Sequence, residues 1–187
     1  MEEINVLLDD GLSAADKRNL DYFTDKAKTT IRDQMDKLLE DFSKLGSTFT
    51  HSVEWGVTED SLKKKGVIII YFRASPEASQ TKSITGAPKP PSNAAGWTVI
   101  GTKATISEAY VEMNFPTEKM ARIAVHEMMH NKCQMDNDAL HDAKKGGGGI
   151  ANSPTQGYES VTAENAKLLS KNLSKSVTQW RPGGSLS

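Results

Sequence analysis

Apolar residues recur at three- and four-residue steps from Leu20 through Phe23, Ala27, Ile31, Met35, Leu38, Leu39 and Phe42 to Leu45. That spacing lays one stripe along a helix and predicts a single long helix from about Ala14 to Leu45, with Ser13 as N-cap and Gly46 as stop. The pattern then changes. Ser47–Val57 alternates apolar and polar positions, and "GVIIIYF" (Gly66–Phe72) is an unbroken apolar run of strand length. Both predict strands, the second buried at the centre of a sheet. Ser75–Gly96 holds four prolines and little apolar content, which predicts a long exposed loop. Trp97–Gly101 and Thr105–Met113 predict two more strands, with Ala109, Val111 and Met113 facing inward. Helical periodicity returns at Pro116 and Thr117, with Met120, Ala121, Ala124, Val125 and Met128 on one face. A last helix opens at Thr162 and runs toward Trp180, and residues 181–187 read as a frayed tail. The sequence of elements is α+β within one domain spanning 1–187.

Composition narrows the function classes. A net charge of -1 gives no pull toward nucleic acid or an anionic membrane. No apolar run approaches the length of a membrane span. One cysteine excludes an internal disulfide framework. The acidic start "MEEINVLLDDG" lacks the layout of a signal peptide, so the expected location is cytoplasmic or reached by a signal-independent export route.

The chemistry concentrates in "VHEMMHNKCQMDNDALHDAKKGGGGIA" (Val125–Ala151), which holds three of the four histidines and the cysteine. His126, Glu127 and His130 form H-E-x-x-H on the helix predicted after Pro116. Residues four apart share one helix face, so both imidazoles reach one ion, and neutral imidazole suits Zn²⁺. Glu127 lies beside that ion and is placed to take a proton from the attacking water and carry it to the leaving amine.

At these residues the chain resembles the zincin metallopeptidases. The resemblance implies a zinc-dependent endopeptidase with a protein or peptide substrate. It also implies a long backing helix, a mostly antiparallel sheet, the active-site helix and a C-terminal helix. In that family the strand before the active-site helix, here "TISEAYVEM", is the sheet edge that pairs with extended substrate. Size and the missing signal also resemble metallopeptidase domains of bacterial effector or polymorphic toxins, which would bring an immunity protein as partner and a larger carrier chain.

The third metal ligand stays open among several residues. Asp136 stands at the offset of the metzincin branch, but Cys133 occupies the position of that branch's helix-ending glycine. On a helix running straight on, Asp136 points about 240° away from His130. His141, in "LHD" ahead of "GGGGIA", resembles the metzincin histidine with an insertion, with Ala151 where that branch has its turn methionine. A straight helix would carry His141 about 16 Å from His130, so a turn is mandatory. His141 is preferred and Asp136 is its rival. Glu159 and Glu164 are the gluzincin-like alternatives; Glu164 is better read as a dipole-compatible charge in a first helical turn. Cys133 reads as a small buried residue rather than a thiolate ligand, His51 as structural, and Tyr158 as a candidate oxyanion stabiliser beside ordinary packing. A zinc-binding scaffold without activity and a cell-wall peptide amidase are the rival functions.

Overall fold

A computed structural model describes residues 1–142, 148–152 and 160–181. Its elements in chain order are β1 (Glu2–Asp10), α1 (Ala14–Asn19), α2 (Asp25–Lys44), β2 (Phe49–Trp55), β3 (Val67–Arg73), α3 (Thr81–Thr85), β4 (Gly96–Ile100), β5 (Thr105–Tyr110), α4 (Thr117–Cys133), α5 (Asn137–Leu140) and α6 (Ala163–Ser170). The architecture is mixed α/β. Five strands form one sheet in the order β2-β1-β3-β5-β4. The pairs β1–β2, β1–β3 and β3–β5 are parallel and only β4–β5 is antiparallel. The expected mostly antiparallel sheet is therefore corrected to a mostly parallel one. The reason lies in the connections: helices or long segments separate the parallel neighbours, whereas β4 returns to β5 through a short turn closed by the Gly101 N–H to the Ala104 carbonyl.

Both sheet faces are covered, which explains the unbroken apolar run of β3. Ile68, Ile70 and Phe72 join β1, β2, α2, α4 and α6 in the main core, while Ile69 and Tyr71 pack on the other face with Leu7, Ile106 and Trp180. β1 has no counterpart among the sequence-based strands. Its centre, Ile4–Leu8, is buried, but acidic residues at both ends hide the run.

The long first helix divides. Leu20 ends α1 and Thr24 caps α2 through its side chain. The apolar stripe crosses this break because Leu20 and Phe23 still pack against the core, Phe23 stacking on Phe72 with centroids 5.7 Å apart. Periodicity records burial, and a turn can bury the same residues a helix would. Ser75–Gly96 is not purely an exposed loop: it contains α3, and Pro76, Thr81, Pro90 and Ala95 are buried. The strand from Thr105 stops at Tyr110, leaving Met113 half-buried outside it. That strand is also interior, so the sheet edge beside α4 is β4 instead. The last helix ends at Ser170, and Gln179 forms an isolated parallel bridge to Thr105.

Candidate metal centre

α4 is buried from Ile123 through Cys133 without interruption, enclosed by β4, β5, α2 and α6 rather than presenting one face. Its buried polar groups must therefore find partners. His126 and His130 do so in the same way. His126 Nδ1 lies 2.8 Å from the Ile150 carbonyl and His130 Nδ1 lies 2.7 Å from the Met135 carbonyl. A carbonyl only accepts, so each Nδ1 carries the proton and each neutral ring presents a bare Nε2. Those two Nε2 atoms are 3.0 Å apart. Burial disfavours the imidazolium form, pushing His126 down to about 3 and His130 down to about 4. Two lone pairs thus face one another with no proton to share, an arrangement that calls for a cation between them.

The local chain explains how a third imidazole joins them. α4 ends at Cys133 because Gln134 turns into the left-handed region at φ 53°, and the Met135 N–H returns to the His130 carbonyl. Gln134 then donates from its side chain to the Asn131 carbonyl and to Thr105 Oγ1. The turn comes early, as Asp136 would need, yet Asp136 is not among the clustered ligand atoms, although its negative charge acts on His130. Its carboxylate accepts from the Ala139 N–H and caps α5. One short helix later His141 swings in, with Nε2 3.1 Å from His126 Nε2. The ligand atoms of His126, His130 and His141 all lie within 4.8 Å of one another, close enough to hold a metal ion.

Glu127 is buried against the edge strand. Thr98 Oγ1 on β4 donates to Glu127 Oε2 at 2.6 Å. Gly96 makes the approach possible: a Cβ there would come within 2.5 Å of Glu127 Oε1. Burial pushes the Glu127 carboxyl up to about 8, against the lowering effect of the Thr98 hydrogen bond.

The carbonyl that orients His126 is itself fastened. It belongs to a 3₁₀ turn, Gly149–Ala151. Asn165 in α6 donates to the Gly148 carbonyl at 3.0 Å and accepts from the Ile150 N–H at 3.2 Å. Asn165 also completes the Thr162 capping box. Gly96, Thr98, Asn165 and the two carbonyls are absent from the sequence-based reading. Only Asn165 carried a readable signal, the Thr-x-x-Asn spacing at a helix start.

The other candidate residues fall elsewhere. Glu164 is exposed in the first turn of α6 and Cys133 is fully buried in the core, where burial pushes its thiol up to about 12. His51 in β2 meets Asp36 Oδ1 at 3.2 Å, a partner not visible in the sequence. Ala151 is buried in the turn below His126. Tyr158 and Glu159 lie outside the described residues, as do 182–187 of the expected tail. No protein-family model, curated protein or solved structure matches the chain.

Proposed function

We propose that this chain is a zinc-dependent peptidase in which Glu127 moves the protons of peptide-bond hydrolysis. The observation that carries the reading is the pair of bare Nε2 atoms 3.0 Å apart, on the same helix as a buried carboxylate. Three imidazoles suit zinc, and tetrahedral Zn–N bonds of about 2.0–2.1 Å separate ligand atoms by about 3.3 Å, slightly more than the 3.0 Å from His126 Nε2 to His130 Nε2 and the 3.1 Å from His126 Nε2 to His141 Nε2. When bound, the ion lowers the pKa of water and polarises a carbonyl.

The chain's own groups supply the rest. His126, His130 and His141 would hold the metal, the first two oriented by the Ile150 and Met135 carbonyls. Glu127 accepts a proton from the attacking water and delivers it to the leaving amine nitrogen. Its raised pKa favours holding that proton between the two steps, and with a dication held by the histidines its carboxylate form would be favoured, leaving the base available to accept the first proton. The outer edge of β4 pairs with no other strand among the described residues. It borders a groove of about 570 Å³ between Trp97–Ile100 and Gln134 with Asp136–Asp138. An extended peptide laid there as an added strand would run along Thr98, whose hydroxyl donates to Glu127.

Metal analysis of protein purified without added zinc, together with cleavage of denatured proteins by wild type and Glu127→Gln, tests the reading. Both proteins should carry zinc, and the variant should lose cleavage by about a thousandfold. Absence of bound metal with no thermal shift on adding zinc, or full cleavage by Glu127→Gln, would sink it. Cleavage of purified muropeptides but not proteins would assign the amidase alternative.

A further inference from the structure

Thr98 stands at the end of a buried hydrogen-bond chain whose direction is fixed at its far end. The Ile69 N–H donates to Gln179 Oε1 at 3.4 Å, and a backbone N–H can only donate. This sets the Gln179 amide, whose Nε2 donates to Asn131 Oδ1 at 2.8 Å. Asn131 Nδ2 returns a bond to Gln179 Oε1 and gives its other proton to Ser107 Oγ, both at 2.9 Å. Ser107 Oγ and Thr98 Oγ1 are 3.0 Å apart. Thr98 Oγ1 is the donor in that contact, and the same hydroxyl also reaches the Glu127 carbonyl at 3.3 Å. Of the three acceptors within reach of the single Thr98 proton, Glu127 Oε2 is the nearest, at 2.6 Å. Gln179, Asn131 and Ser107 are all buried, so water does not compete for these bonds.

We propose that Thr98 is a positioning residue for Glu127, anchored by its contact with the buried Gln179–Asn131–Ser107 chain, and that its hydroxyl donates to Oε2 and leaves Oε1 to exchange the reaction's proton. This rests on the peptidase reading of Glu127. In that division of labour Oε1 takes the proton from water and gives it to the amine, while Thr98 keeps its own proton throughout. The chain crosses from β4 through β5 and α4 to the segment after α6. The orientation of the proposed base is thereby set by parts of the fold that never meet the substrate.

The test compares wild type with Thr98→Val, Thr98→Ser and Ser107→Ala in the zinc-loaded full chain. Thr98→Val, which removes the donor and keeps the shape, should lower kcat about tenfold while KM and the zinc Kd stay within about twofold. Thr98→Ser should restore most of the loss, and Ser107→Ala should give a smaller one. A second readout needs no turnover: the Glu127 carboxylate stretch, isolated as the infrared difference between each protein and its Glu127→Gln counterpart, should shift in Thr98→Val and return in Thr98→Ser. If wild type shows no Glu127-dependent cleavage, the peptidase reading fails and the infrared comparison alone judges the hydrogen bond. An unchanged carboxylate stretch in Thr98→Val, or kcat equal to wild type, overturns the proposal. So does Thr98→Ser behaving like Thr98→Val.

Discussion

Asp136 and His141 hold opposite ends of α5 and do unlike work. Asp136 satisfies the helix's first N–H groups, and His141 closes the trio of imidazoles. His141→Ala should therefore weaken zinc binding by more than about 100-fold, beyond what loss of an outer partner causes. Asp136→Ala should lower zinc affinity far less than His141→Ala, through the lost charge beside His130 alone, and cost about 1 kcal/mol of stability through the lost cap. Competition against a chromophoric chelator and urea denaturation separate the two, and the reverse pattern would exchange their roles. Gly96 makes a sharper case, because its space is already taken by the Glu127 carboxylate. Gly96→Ala should retain zinc and lose cleavage by about 100-fold, the scale expected when a reacting group is displaced by about 1 Å. Retained cleavage in that variant would show that Glu127 has room to move aside.

At the scale of elements, the candidate metal centre depends on a turn that contributes no ligand atom to the histidine cluster. The Gly149–Ala151 turn offers His126 a carbonyl, and α6 holds that turn through Asn165. Asn165→Ala should loosen zinc binding by about 10–100-fold although the side chain does not reach the histidines. It should also destabilise the fold by about 1–3 kcal/mol, since buried partners lose their hydrogen bonds. Zinc competition on the variant checks the first effect; unchanged affinity would mean that the rest of the loop fixes the turn. This dependence was illegible in the sequence, and the reason is physical. H-E-x-x-H is readable because one helix sets its geometry within a single turn. The start of α4 at Pro116 and the buried strand around Ile69 were readable for the same local reasons. His141 was preferred on its ligand type and does join the cluster, but the point at which the chain turns was not readable, because the helix ends on Gln134, a residue with no special taste for the left-handed region. Parallel pairing was hidden too, since β1 and β3 are neighbours across more than fifty residues of chain.

For the whole molecule, metal and fold should be linked. The three imidazoles come from α4 and the end of α5, and the carbonyl behind one of them comes from the segment before α6. Zinc at about 100 times its Kd would add about 2.7 kcal/mol to the folded state, provided the unfolded chain does not bind it. For a chain of this size that corresponds to roughly 5–10 °C in Tm. Stripping with a chelator should lower Tm by that amount and added zinc should restore it, as followed by calorimetry. A Tm indifferent to both treatments would exclude a resident ion. In Glu127→Gln the zinc effect should persist, because Glu127 is not among the three ligands.

The three imidazoles and Glu127 all fall between residues 126 and 141 of one continuous stretch. The groups that hold Glu127 still are on a different strand. On the proposed reading, the groups that would hold an ion and those that would put it to use thus lie in separate places and differ in how well they travel. Transplanting Thr117–Ala151 into an unrelated helical scaffold would carry the imidazoles together with the Met135 and Ile150 carbonyls behind His130 and His126. It would leave behind Gly96 and Thr98, giving a protein that captures metal without turning over a peptide. A designer starting from this fold would need to move the edge strand together with the helix.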